Sequence, residues 1–403
     1  MQSGNIRRIY IIAGLISLTV SYFGIWLRFI NDPVERTGSD FIAFYTAGRI
    51  AQTQGAARVY DPLLQQQIQQ EEVGFPLAPG QVLLYNHLPY LIPIQQMLVS
   101  TTYVTSFYRW IVVLITLYIA GALVLSRALN ETGIDRISIF IAAAGAILFL
   151  PVFFSLMNGQ DTALLFLGAA LWMYGLLSGK EYVAGLGLSL TTVRPHMALF
   201  LAIPMLFHSI RVFGIFLLGS GILALLSVVI LGMDGTQGFI NILLISTGGE
   251  WYGMKESAMF NLIGLLTRTG LPLEPGVIRL SGWITYIIGM ACVCLLWWKA
   301  AAKKNLPIGV TVILTLVFAP HLHFHDLALL LIPIYDLVKR SKEPGNLKTA
   351  IAVTVPTSIS LLLLISNISP YLQYTIPYLI MLVLAAYPYC PRLRMPLTTP
   401  HRS

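Results

Sequence analysis

Apolar runs of about 15 to 25 residues recur from one end of this chain to the other, and a run near 20 is what crosses a hydrocarbon core about 30 Å thick as helix. In lipid the backbone must satisfy its own hydrogen bonds, which restricts spanning elements to helices and closed barrels. The two-residue alternation of a barrel strand is missing here, so the chain reads as an all-α polytopic membrane bundle. Of its 403 residues 56% are hydrophobic and 10% charged, with mean hydropathy +0.76, outside the usage of soluble domains. The first run, Ile9 to Ile30, follows Arg7 and Arg8 and has no Ala-x-Ala-like cleavage site, so a retained anchor is expected. Cys292, Cys294 and Cys390 show neither disulfide nor zinc spacing.

Spans are predicted at 9–30, 104–126, 137–157, 161–178, 211–232, 282–299, 306–320, 326–338, 349–367 and 371–389. With the N-terminus inside, most of the 25 Lys and Arg residues fall on the cytoplasmic side, Arg127, Arg136, Lys180, Arg211, Lys299 and Lys339 among them. This positive-inside bias agrees with about ten crossings and both termini in the cytoplasm, and it accounts for the formal charge of +8 without a nucleic-acid partner. The whole chain, 1–403, reads as a single membrane domain closing in the C-terminal helices of 282–403. Residues 182–207 must begin and end on the same side, which a broken helix or re-entrant hairpin with its apex at Arg194-Pro195-His196 satisfies; a single kinked helix would invert everything after it. Two external loops stand out, 31–103 and 233–281. In the first, the periodicity of Phe41 to Gln54 and the Asp61-Pro62 start predict amphipathic helices lying at the membrane interface.

The costly polar residues gather on the external side, and an ionisable group at membrane depth marks function or structural pairing. Asp40, just before Phe41, is either a helix N-cap or a general base, and the two roles are compatible. Arg194 is a cation paired with Asp161 or Asp326, or a phosphate ligand. In His321-Leu322-His323-Phe324-His325-Asp326 a metal site, a phosphate site oriented by Asp326 and plain interfacial histidines are all open, although on a helix His323 points away from His321 and His325. Asn158-Gly159-Gln160-Asp161 forms a tight turn between two spans. Glu250-Trp251-Tyr252 suits stacking on a sugar, or is part of the interfacial aromatic belt. No Walker, Gly-x-Gly-x-x-Gly, His-Glu-x-x-His or Gly-x-Ser-x-Gly motif occurs.

In combination these residues resemble the GT-C membrane glycosyltransferases, and most closely family 87, which includes polyprenol-phosphate-mannose-dependent α-mannosyltransferases. The resemblance rests on Asp40-Phe41 with Tyr45, Ala47 and Gly48; Gly55 with Tyr60-Asp61-Pro62; Asn158-Gly159-Gln160; Arg194-Pro195 after a Gly-rich helix; Asn261; and His323-x-His325-Asp326 ahead of Pro333. It spans roughly residues 38–335. It implies an inverting transfer from a polyprenyl-phosphate sugar, with mannose the sugar by analogy, to a lipid or glycan acceptor at the outer face. Asp40 would be the catalytic acid of the first loop. Arg194, His196, His323 and His325 would meet the donor phosphate, supported by Tyr45, Asn158, Gln160, Asp161 and Asp326. Glu250, Trp251, Tyr252 and Asn261 are the candidate sugar or acceptor contacts. The family commonly has Lys-Pro where this chain has Arg194-Pro195. No cofactor and no metal are called for, membrane lipids surround the protein, and a bacterial inner membrane fits. A polyprenyl-lipid flippase or secondary transporter shares many helices and a broken helix with a cation, but alternating access does not require the long acid-bearing first loop.

Overall fold

The computed structural model describes residues 2–130, 136–247, 256–301, 306–341 and 345–386. From the N-terminus the chain runs through α1 (Gln2–Asn31), α2 (Pro33–Thr37), α3 (Phe41–Thr53), α4 (Pro62–Val73), α5 (Ile92–Leu98), α6 (Tyr103–Asn130), α7 (Arg136–Ile147) and α8 (Leu150–Asn158). It continues as α9 (Thr162–Leu177), α10 (Glu181–Leu190), α11 (Pro195–Ala202), α12 (Ile210–Thr247) and α13 (Leu262–Arg268). The remainder is α14 (Pro275–Ala301), α15 (Ile308–Phe318), α16 (Leu331–Arg340), α17 (Gly345–Ser366) and α18 (Pro370–Ala386). No strand occurs among the described residues.

Among the described residues, five helices, α1, α6, α12, α14 and α17, are long and apolar enough to cross a membrane, and α7 with α8, bent by 58°, makes a sixth if the pair is one span. Pro151 in the first turn of α8 starts a new helix rather than extending α7, and the Leu150 amide freed at the bend donates to Ser360 Oγ at 2.9 Å. Four further apolar helices are shorter, over Thr162–Leu177, Pro195–Phe207, Ile308–Phe318 and Tyr371–Ala386. The expected span 326–338 is not one α-helix. Residues Phe324–Leu330 form a 3-10 turn that runs into α16, and Leu327 to Ile332 are fully buried.

Part of the stretch expected as a loop over 233–281 is helical among the described residues. Gly232 breaks α12 with φ 65°, after which the helix continues to Thr247. This arm docks on the 31–103 stretch, where Tyr60 and Phe239 rings lie 4.9 Å apart. Within the first loop, α3 does not lie on a lipid surface: ten of its residues, Phe41 to Gly48 with Ile50 and Ala51, are buried beneath α4, α5 and α6. Asp61 caps α4 by accepting from the Leu63 and Leu64 amides.

The glutamines of α4 serve as side-chain clamps. Gln69 exchanges two hydrogen bonds with the Leu83 backbone, at 2.8 and 3.1 Å, and Gln65 accepts from the Tyr85 amide at 2.7 Å. Four residues apart, these two glutamines share one helix face and hold residues 82–85 extended.

Small residues set the spacing at the centre. Gly168 and Gly187 face each other between antiparallel α9 and α10, and Gly175 meets Ala184 farther along. Without a hydrophobic drive in lipid, close backbone approach is what holds such a pair. The packing brings the start of α9 beside the end of α10. Arg194 then takes an extended conformation, φ −126° and ψ 84°, as a residue before proline prefers. The chain turns back at this point. At the far end Ser209 Oγ donates to Glu181 at 2.5 Å, so the two arms of 182–207 return to the same side.

A Cβ at Gly187 would sit 2.6 Å from both the Gly168 carbonyl oxygen and the Trp172 amide nitrogen, whereas one at Gly214 meets nothing within 4 Å. Gly187→Val is expected to lose about 1–3 kcal/mol through overpacking, read as a lowered unfolding midpoint in detergent, while Gly214→Ala leaves that midpoint unchanged.

Candidate active site

Asp40 sits at the N-cap position of α3, yet its carboxylate makes no capping bond. It accepts instead from Gln160 Nε2 at 2.6 Å. Oδ1 has no hydrogen bond among the described residues, and the side chain is only half-buried.

The turn before α9 brings Gln160 there. Gly159 adopts φ 67°, in the left-handed region, and a Cβ on it would lie 2.8 Å from Phe41 Cβ, so glycine both makes the turn and lets it press against α3. Trp110 Nε1 donates to the Gly159 carbonyl at 2.7 Å and locks the turn. Asn158 ends α8 on the other side of it.

Arg194 joins three segments. Its Nη1 is 2.9 Å from Asp161 Oδ1, its Nε is 3.5 Å from Asp326 Oδ1, and its Nη2 donates to Gln160 Oε1 at 3.1 Å. The guanidinium pairs with both acids that the sequence offered, and Nη1 also donates to the Val193 carbonyl. Two of its five N–H groups make hydrogen bonds, to Gln160 and Val193, while both acids stand within ion-pair distance. Because Gln160 Oε1 faces Arg194, its NH₂ must face Asp40. The amide therefore has one orientation, and it presents a donor to the Asp40 carboxylate.

Asp326 is buried, accepts from Thr162 Oγ1 at 3.2 Å and from the His323 amide at 3.1 Å, and lies 3.7 Å from His325 Nε2. His321 and His323 stand edge to face at 4.5 Å, and His323 and His325 are 5.6 Å apart. Among the described residues no group of three or more His, Cys, Asp or Glu is placed to hold a metal ion. Burial first, and His325 second, push His323 down to about 4. Burial also lowers His325, against the opposing pull of Asp326. Both imidazoles are therefore neutral hydrogen-bonding groups at neutral pH. His196 donates through Nε2 to the His321 carbonyl at 2.9 Å, which commits that nitrogen to the fold.

Other expected residues stand apart from this cluster. Tyr45 is buried with its hydroxyl toward Glu72, and burial followed by that carboxylate pushes it up to about 12. Asn261 is buried, 1% exposed: it caps α13 by accepting from the Gly264 amide at 2.9 Å and donates to the Ala319 carbonyl at 3.0 Å. Glu250, Trp251 and Tyr252 lie outside the described residues. One residue that sequence reasoning passed over is His87, whose Nδ1 lies 2.9 Å from Asp161 Oδ2. Nothing in its local sequence marks it; the segment held by Gln65 and Gln69 carries it there.

The model of glycosyltransferase family 87 matches residues 89–320, more than half of the chain. That stretch includes Gln160, Asp161, Arg194 and His196; Asp40 and His87 precede it, and His323, His325 and Asp326 follow it. No curated protein matches the chain.

Arg194 is 11% exposed, and removing it takes away the permanent positive charge paired with two buried carboxylates. Arg194→Met is expected to cost about 3–5 kcal/mol, measured by unfolding in detergent. Since His323 falls from 6.5 to about 4 on folding, the unfolded chain binds more protons within that window. Stability is therefore full above about pH 6.5 and declines as pH drops towards 4, which denaturation midpoints across the range will record.

Proposed function

This chain belongs to glycosyltransferase family 87 and is a membrane glycosyltransferase, and from that premise we propose that Asp40 is the general base of an inverting transfer from a polyprenyl-phosphate sugar to a lipid or glycan hydroxyl. The observation that carries this reading is the Gln160 amide, which binds Arg194 through its oxygen and Asp40 through its nitrogen. It keeps Asp40 Oδ2 in place and leaves Oδ1 without a protein partner among the described residues, ready to accept an incoming hydroxyl.

In this mechanism the acceptor oxygen attacks the anomeric carbon from the face opposite the phosphate. The bond between that carbon and the phosphate oxygen breaks with its electron pair leaving on the phosphate, and the hydroxyl proton passes to Asp40. Polyprenyl phosphate departs and the new glycosidic bond has inverted configuration. Arg194 contributes a fixed positive field from within its carboxylate pair, and the neutral His323 and His325 contribute polar hydrogen-bonding groups. Mannose is the sugar favoured by family analogy. The positive-inside charge bias supports a site on the external face of a bacterial inner membrane with both termini cytoplasmic.

Asp40→Asn retains a side chain of the same shape but cannot take a proton. Radiolabelled polyprenyl-phosphate mannose, offered with a lipid and glycan extract to purified protein in nanodiscs, is expected to give product with wild type and about 10²–10⁴-fold less with Asp40→Asn, at an unchanged unfolding midpoint. Near wild-type transfer by Asp40→Asn rules out the base assignment. Binding of the lipid without transfer by wild type favours a transporter.

A further inference from the structure

His87 is clamped before any substrate arrives. Its Nδ1 lies 2.9 Å from Asp161 Oδ2, and because a carboxylate only accepts, Nδ1 carries the hydrogen. The ring packs on Phe44, with centroids 4.3 Å apart, and on Tyr85 at 5.4 Å. Its carbonyl accepts from Tyr60 Oη at 2.6 Å, and Gln65 and Gln69 hold the residues just before it. An imidazole with its hydrogen on Nδ1 keeps a lone pair at Nε2. Among the described residues that nitrogen has no hydrogen-bond partner, and it is not sealed from solvent. The open side of the ring is thus an acceptor with a fixed direction.

On this side of the site it is hydrogens that are missing, not lone pairs. Asp40 Oδ1, like His87 Nε2, has no hydrogen bond among the described residues. Asp40 stands one turn before Phe44 on α3, so it shares a helix face with the ring that His87 packs against. Nearby donors are spent on the protein, Gln160 Nε2 on Asp40 and His196 Nε2 on the His321 carbonyl. A phosphodiester would bring only further lone pairs and negative charge to His87, whereas a sugar hydroxyl brings the O–H that an open acceptor takes. Asp161 divides the two surroundings: its Oδ1 faces Arg194 Nη1 at 2.9 Å, and its Oδ2 faces His87. A donor whose phosphate lies on the Arg194 side carries its sugar, directly attached, towards His87.

We propose that His87, oriented by Asp161, accepts a hydrogen bond at Nε2 from one hydroxyl of the donor sugar and so selects and positions that sugar. The inference rests on the donor class proposed above. It gives His87 a contact separate from that of Asp40, which takes the proton of the acceptor hydroxyl. His87→Asn keeps an amide hydrogen for Asp161 but removes the Nε2 position; His87→Gln places an amide oxygen near the Nε2 position and gives up Asp161.

Values of kcat/KM for polyprenyl-phosphate mannose and its singly deoxygenated analogues, each offered in nanodiscs with the same lipid and glycan extract, separate this contact from a structural role. Wild type is expected to lose about 10-fold with one particular analogue. His87→Asn is expected to lose about 10-fold with the intact donor and little more when that same hydroxyl is missing, because the two changes remove one interaction. His87→Gln is expected to retain part of the discrimination at that hydroxyl. A role in folding alone lowers transfer from every donor by one common factor. That result in both variants, or wild-type kinetics in both, overturns the hydroxyl contact and leaves the family assignment and the Asp40 base intact. Absence of transfer from polyprenyl-phosphate mannose by wild type removes the donor class, and this inference with it.

Discussion

A guanidinium cannot shed its proton when it is buried, and the arrangement of this protein's centre follows from providing for the one at Arg194. An unpaired charge in such an interior is far more costly than one held by carboxylates with good hydrogen bonds. Asp161 and Asp326 meet that need from two segments, and in doing so they tie the start of α9, the apex of the hairpin and the 3-10 turn before α16 to one point. Gln160 extends the network to α3. The carboxylate of Asp40 is thereby oriented by groups more than a hundred residues away in the chain.

Close packing makes that convergence possible. The glycines between α9 and α10 let the two backbones touch, and Gly159 lets its turn rest on Phe41. Aromatic rings then surround α3: Phe41 lies 5.2 Å from Tyr103 and 5.3 Å from Phe107, and Phe44 lies 5.6 Å from Trp110. Each such pair adds about 0.5–1.5 kcal/mol beyond its buried area. A site carried on a helix packed this tightly keeps its geometry without relying on loop order.

The electrostatic character of the site differs from a simple basic pocket. Its acids outnumber its guanidinium, and the buried histidines of the 321–325 run resist protonation. Such a site does not hold an anion by bulk positive charge. In such a site fixed dipoles and placed hydrogen-bond donors, rather than net charge, set the local field.

Much of this was legible in the chain. Apolar run lengths determined the helical membrane class, because lipid admits few backbone solutions. Arg194-Pro195 announced the break, because proline constrains the residue before it, and Asp61-Pro62 announced the start of α4. Asp40, Gln160, Asp161, Arg194 and Asp326 stood out because polar groups are costly at membrane depth. Sequence alone left open whether Asp40 caps a helix and whether Arg194 pairs with one acid or two, since both depend on contacts between distant segments. Periodicity placed α3 on a surface, although its partners α4, α5 and α6 enclose it. Asn261 resembled a ligand contact and is a buried cap. His87 was invisible because nothing local distinguishes it: its place beside Asp161 is set by two glutamines on another helix, and only the tertiary structure brings those hydrogen bonds together.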